Sequence, residues 1–411
     1  MVLGRLWWRG RKEPGYREHL AERLGFYPPA AAGRADAPLV WVHAVSVGET
    51  RAAEPLVDAL LEQYPDSTIL LTHMTPTGRA TGQALFGKHA PRVMQSYLPY
   101  DTGWMVGRFI RHFRPRLCVL METEVWPNLI AQCRAHGVPV ALVNARLSER
   151  SLAKAERLSA LMHEAARGMS CVAAQTEADA ARLRQLGAPG VRVTGSIKFD
   201  VTAPQTVLQK GAALRAQIGA RPVLLCASTR EGEERLILDA LRSQDMADAL
   251  IVIVPRHPQR FDEVARMIAE EGLAMARRSQ LGDRALAPDV RILLGDSMGE
   301  MFAYYAASDV AFIGGSLLPL GGQNLIEACA LGKPVLIGPH TFNFNVVSED
   351  AIEAGAALRV QDAPAMLGEA LRLLQDSGER TAMGARAKGF AEQHRGATAR
   401  TMALLRPLIA K

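Results

Sequence analysis

The chain has 411 residues, 48% of them apolar and 22% charged, with 48 Lys and Arg against 42 Asp and Glu for a net charge of +6. That composition can build full hydrophobic cores and excludes a disordered or fibrous protein; the length fits about two or three domains. Aromatic residues are only 6%, with no basic stripe interleaved by aromatics, so no nucleic-acid partner is expected.

The positive charge is concentrated at the start. Arg5, Arg9, Arg11, Lys12, Arg17 and Arg23 face only Glu13, Glu18 and Glu22, a surplus of three in 27 residues, beside Trp7, Trp8, Phe26 and Tyr27. No window of about 18 apolar residues exists to span a membrane, and charges at positions 5, 9 and 11 interrupt any signal-peptide core. Residues 1–30 therefore read as a basic segment lying on an anionic membrane surface, or as a solvated first helix.

Next come short apolar runs alternating with helical spacing. Leu39–Val45, Ser67–Thr72, Leu117–Met121, Val138–Val143 and Met169–Ala174 read as strands, and Arg51–Tyr64 as a helix with Leu56, Val57, Leu60 and Leu61 on one face. The second half repeats the pattern with Val223–Ala227, Leu250–Pro255, Val290–Leu294, Val310–Ile313 and Val335–Ile337, then a helical tail from Ala363. Strands apolar on both faces and alternating with helices indicate parallel sheets covered by helices. The boundary falls near Pro204, giving domains at 31–204 and 205–411, each doubly wound. Such sheets bind ligands beyond the carboxyl ends of their strands, and two facing domains would line one cleft with those ends. Cys118, Cys133, Cys171, Cys226 and Cys329 are odd in number and widely spaced, which suggests buried thiols in a reducing compartment, without disulfides or a zinc site.

The residues after the strands carry the chemistry. Glu49, in Ser46-Val47-Gly48-Glu49, sits at a strand-to-helix turn, where an acid also complements the helix dipole. Glu122-Thr123-Glu124 places two carboxylates at the next strand end, and Trp126-Pro127 starts a helix. Neighbouring carboxylates allow one to act as a general base with a tuned pKa. Lys198, in Gly195-Ser196-Ile197-Lys198-Phe199-Asp200, suits an anionic ligand or is simply solvated.

In the second half, Ser228–Glu234 offers backbone amides and Arg230 to a phosphate. Gly314-Gly315-Ser316 and Gly321-Gly322 allow close backbone approach. Asn324 and Glu327 read as a capping box, with Glu327 also placed to take ribose hydroxyls. These features favour a phosphorylated, ribose-bearing ligand. No Asp-x-Asp, HExxH or GxxxxGK[ST] occurs, so a metal-anchored nucleotide-sugar site and a P-loop are unsupported.

Several longer runs make the set specific: Met74-Thr75-Pro76-Thr77-Gly78, Leu98-Pro99-Tyr100-Asp101, Met121-Glu122-Thr123-Glu124-Val125-Trp126-Pro127-Asn128, Asn144-Ala145-Arg146-Leu147-Ser148, Pro255-Arg256-His257-Pro258 and Gly338-Pro339-His340-Thr341-Phe342-Asn343-Phe344. With the Glu49 and Lys198 runs, and in this order, the chain resembles the 3-deoxy-D-manno-octulosonic acid (Kdo) transferases of Gram-negative bacteria. The resemblance implies an α/β GT-B fold, two Rossmann-like domains facing across a cleft. It implies an inverting transfer of Kdo from CMP-Kdo to a lipid A precursor, with no metal or other cofactor. The enzyme would be peripheral, on the cytoplasmic face of the bacterial inner membrane. The family's general base matches Glu49 and its charge-stabilising residues match Glu122 and Lys198. Its CMP contacts match Pro255 and Arg256, Met298, Gly299 and Glu300, and Asn324, Leu325, Ile326 and Glu327. Family members usually begin with a longer hydrophobic anchor, whereas only Met1-Val2-Leu3 precede the basic stretch here. The alternatives are another GT-B enzyme, such as a nucleotide-sugar 2-epimerase or a UDP-sugar transferase, and a silent nucleotide-binding protein at a membrane surface.

Overall fold

The structure, a computed structural model, describes residues 10–11, 13–27, 38–157, 159–200, 203–246 and 248–410. It divides into two units, Met1–Asp200 with His394–Lys411, and Val201–Gln393.

The first unit is built on β1 (Leu39–His43), β2 (Thr68–His73), β3 (Val93–Tyr97), β4 (Leu117–Met121), β5 (Val140–Ala145), β6 (Cys171–Ala174) and β7 (Val191–Val193). They form one sheet in the order β3-β2-β1-β4-β5-β6-β7, with every neighbouring pair parallel. Alternate residues feed two cores, as the two-residue period of a strand requires. Trp41, Leu120 and Leu142 pack on one face, and Val40, Val42, Val119 and Val143 on the other.

The second unit carries β8 (Val223–Thr229), β9 (Leu250–Pro255), β10 (Met275–Arg277), β11 (Ile292–Leu294), β12 (Val310–Ile313), β13 (Val335–Ile337) and β14 (Ala357–Arg359). Their order is β10-β11-β9-β8-β12-β13-β14, again with every pair parallel. In each sheet the strand order reverses beside the first strand, between β1 and β4 and between β8 and β12. Those two switch points are where a doubly wound sheet opens a crevice for a ligand.

Two expectations are corrected. The last helix, Ala397–Ile409, belongs to the first unit and not to the second. Its Ala397, Met402, Leu405 and Ile409 fill the core face that also holds Leu56 and Leu60 of the helix Glu54–Gln63. Asp200 anchors its start, accepting from the Gly396 amide through Oδ1 and the Thr398 amide through Oδ2, both at 2.5 Å. Second, Arg23 adds nothing to a basic surface. It is 1% exposed, its guanidinium lies 3.6 Å from the centre of the Tyr97 ring, and Nη1 donates to the Met74 carbonyl. Next to it, Glu22 accepts from Arg79 and the Tyr97 amide. Arg5, Trp7, Trp8, Arg9 and Lys12 lie outside the described residues. No helix among the described residues is long and apolar enough to cross a membrane. All five cysteines are buried free thiols.

Candidate active site

At the first switch point, the chain leaves β1 through Ala44 and Val45 and enters a short helix, Val47–Ala52. The turn is held from β2: His73 Nδ1 donates to the Ala44 carbonyl at 2.9 Å, and the Thr75 hydroxyl to the Val45 carbonyl at 3.2 Å. Burial keeps His73 down at about 4, so its ring is neutral near pH 7. Glu49 folds back over this turn. Its Oε2 accepts from the Val45 amide at 2.8 Å and its Oε1 from the Ser46 hydroxyl at 2.9 Å. Glu49 thus does cap the helix start, as an acid in a first turn often does. Yet burial, with added repulsion from Glu124 and Glu122, pushes its carboxyl up to about 7 against those hydrogen bonds. A cap has no use for a half-protonated carboxylate; a general base at neutral pH does.

Across the switch point, Glu122 directly follows β4, with φ +56°. Its Oε1 stands 2.6 Å from Lys198 Nζ. Lys198 rides on a single 3₁₀ turn, Ile197–Phe199, whose flanking Ile197 and Phe199 are buried and leave the lysine projecting. Glu124 accepts from Trp126 Nε1 at 2.6 Å, and burial raises its carboxyl. Pro127 opens the next helix, whose first amides, Asn128 and Leu129, are capped by Asp101. The run around Asp101 is therefore a scaffold for the Glu122–Trp126 loop. The first sheet brings Glu49, Glu122 and Lys198 to one crevice, as the sequence suggests. Glu124 and the buried Asn144 belong to the same cluster and were not singled out as site residues.

Because Glu49 must be ionised to accept a proton, activity that depends on it should rise with pH through about 7. Glu124→Gln removes the stronger of the two carboxylate repulsions that raise Glu49, so the acidic limb should move to lower pH. A pH–rate profile unmoved by Glu124→Gln would separate Glu124 from this role.

The second switch point differs. The loop amides expected to cradle a phosphate are occupied by the protein itself. Glu233, fully buried, accepts from the amides of Arg230 at 2.8 Å, Gly315 at 2.6 Å, and Ser316 and Leu317 at 2.9 Å. Gly314 is needed for this closure, since a Cβ there would come within 2.6 Å of the Ser228 carbonyl oxygen. Glu233→Ala should lower stability by about 2–4 kcal/mol in denaturant melts. Amides left buried without acceptors cost about 1–3 kcal/mol each, offset in part by relief of the carboxylate's own desolvation. A loss below about 0.5 kcal/mol would mean that water fills the vacancy.

Beside this plug lie the other expected ligand residues. Pro255 ends β9, the Arg256 amide donates to the Thr229 carbonyl, and Arg256 Nε reaches Gln323 Oε1 at 3.3 Å. Burial, together with Arg230, Arg256 and Arg260, lowers the pKa of His257, a sign of positive potential suited to an anion. Met298 is exposed, and Gly299 has φ +75° with open space around it. Burial would raise the Glu300 carboxyl, but Ser297, Lys210 and Arg278 outweigh it and hold it low. Glu300 sits at the start of the helix Met301–Ala307. Asn324 Oδ1 accepts from the Ile326 amide at 3.0 Å and its Nδ2 donates to Glu327 Oε1 at 3.4 Å; this differs from the expected capping box, because Leu325 and not Asn324 stands at the N-cap of the helix Ile326–Ala330, which leaves Glu327 at its second position. Leu325 and Ile326 are buried. Among the described residues no three His, Cys, Asp or Glu side chains are grouped to hold a metal ion.

Residues 18–201 match the family described as 3-deoxy-D-manno-octulosonic-acid transferase (kdotransferase). The chain is 50% identical over 408 residues to the 3-deoxy-D-manno-octulosonic acid transferase of Bordetella pertussis, covering 97% of this chain and 94% of that one. It is 38% identical over 407 residues to that of Haemophilus influenzae, covering 97% and 93%. Among solved structures, a UDP-GlcNAc 2-epimerase from Neisseria meningitidis superposes with a TM-score of 0.60 at 16% identity, over 90% of this chain and all of that one. That likeness is one of fold. With two parallel seven-stranded sheets, it places the chain in the GT-B class.

Proposed function

The chain belongs to the 3-deoxy-D-manno-octulosonic acid (Kdo) transferase family, and on that premise we propose that it moves Kdo from CMP-Kdo to a lipid A precursor, with inversion and without a metal. The observation that carries the catalytic reading is Glu49, a carboxyl held near neutrality at the first switch point beside the Glu122–Lys198 pair. A sugar hydroxyl is a weak nucleophile. Glu49 takes its proton as the oxygen bonds to the anomeric carbon of Kdo, while the bond from that carbon to the CMP phosphate oxygen breaks and CMP leaves as an anion. Glu122 and Lys198 balance charge around the reacting acid sugar. Donor contacts fall to Pro255 and Arg256, to Met298–Glu300 at the start of the helix Met301–Ala307, and to Asn324–Glu327. Cationic and amide donors can stabilise the leaving phosphate without a metal. The lipid acceptor places the enzyme at the cytoplasmic face of the inner membrane, held by its basic, Trp-bearing start; such attachment is worth only about 1 kcal/mol per charge and is screened by salt.

The test is incubation with CMP-Kdo and the tetraacyl-disaccharide lipid presented in anionic vesicles, followed by mass spectrometry of the lipid. Addition of one or two Kdo residues, declining as salt rises, is expected. An unmodified lipid, or turnover of UDP-sugars without any lipid, overturns the reading; transfer indifferent to salt overturns the electrostatic attachment alone.

A further inference from the structure

The amide side chain of Asn144 bonds both Glu122 and the turn that carries Lys198. Asn144 is fully buried and stands in β5 with φ +55°, where the register against β6 shifts between Val143 and Ala145. A bulge at a strand's end re-aims a side chain. Here Nδ2 donates to Glu122 Oε1 at 3.4 Å, the same oxygen that holds Lys198. Oδ1 accepts from the Ile197 amide at 3.2 Å, on the turn that carries Lys198. The Asn144 carbonyl accepts from Gln175 Nε2 at 2.8 Å, which fixes the bulge from the next strand end. Two non-glycine residues in the left-handed region, Glu122 just after β4 and Asn144 one residue before the end of β5, therefore meet here. Such backbone costs of order 1–3 kcal/mol per residue and persists where the surroundings over-determine it. Asparagine tolerates this conformation; glutamate seldom adopts it.

We propose that Asn144 is a positioning residue for sugar transfer: one amide that sets the Glu122 carboxylate and the Lys198 turn at a fixed separation. This rests on the reading of Glu122 and Lys198 as charge-stabilising groups. The chemistry of the side chain is matched to the task, because the donor end meets a carboxylate and the acceptor end meets a backbone amide. Asn144→Asp keeps the size, the tolerance of positive φ and the acceptor for Ile197, and changes only the end that faces Glu122. There it sets carboxylate against carboxylate.

The experiment is steady-state transfer by the full chain with CMP-Kdo and lipid acceptor, for wild type, Asn144→Asp, Glu122→Gln and the double variant. Asn144→Asp should lower kcat about 10–100-fold, the scale of a misplaced catalytic group, with the KM for CMP-Kdo within about twofold. In the Glu122→Gln background, where an amide can donate to the new carboxylate, Asn144→Asp should cost little more, so the two effects do not add. If Asn144→Asp does not fold, Asn144→Gly, which keeps the positive φ and removes the side chain, is read the same way. Wild-type kcat in these variants, or additive losses, overturns the inference while leaving the functional reading intact. A wild-type chain inactive with CMP-Kdo overturns both.

Discussion

Glu49→Gln should slow sugar transfer by about two to four powers of ten, the usual contribution of a general base, while CMP binding stays unchanged. The substitution is isosteric. A glutamine can still accept from the Val45 amide and meet the Ser46 hydroxyl, so the turn after β1 keeps its shape. What disappears is basicity. In the wild type, burial and the neighbouring Glu124 and Glu122 hold this carboxyl at about 7, so near that pH about half the molecules carry the base ready to act. A stronger acid would be ionised more fully but would pull the proton less. The check is kcat at saturating CMP-Kdo, with calorimetric titration of CMP in parallel. Turnover within a few-fold of wild type would remove Glu49 from the role and leave it as the helix cap that its hydrogen bonds also describe.

Lys198→Met should lower kcat by about 10²–10³, the range seen when a single stabilising donor is removed from a preorganised site. Its effect on folding should be small. The Lys198 side chain is 27% exposed and its partner Glu122 14%, and partly solvated ion pairs contribute only about 0–1 kcal/mol to stability. Ile197 and Phe199, which do pack in the core, are untouched by the change. Thermal melts and rates on the same preparations separate the two roles. A variant that fails to fold, or one that folds and turns over normally, argues against a part for this ammonium in catalysis.

Sequence and structure agree best where strands are buried on both faces. Val40–Val42, Leu117–Met121 and Val223–Ala227 are continuous apolar runs because helices cover both sides of them. The four strands the sequence does not mark are β3, β7, β10 and β14, and each lies at the margin of a sheet. A margin strand such as Val191-Arg192-Val193 is half solvated and carries no apolar run to notice. Glu49 and Glu122 are legible as candidates because they stand just after strands, and Lys198 because it lies in the run Gly195–Asp200 that closes the first unit's longer stretch of sequence. Asn144 hides at the end of an apolar run, where its bulge has no local signature. Glu233 is harder still: it reads as part of a phosphate loop, and the amides it occupies at Gly315 and Leu317 are 82 and 84 residues away.

The anchoring of the last helix by Asp200 has a consequence for how the protein is made. The first unit is discontinuous, because the Gly396 amide that Asp200 accepts from is 196 residues further along the chain. At a synthesis rate of roughly 5–20 residues per second, that separation is a delay of roughly 10–40 s. Throughout it, the nascent first unit exposes the face that Met402, Leu405 and Ile409 will cover. The second unit is continuous and completes its core within that interval. A premature stop just before His394 would therefore spare the half of the protein nearer the stop and leave uncovered the half made first.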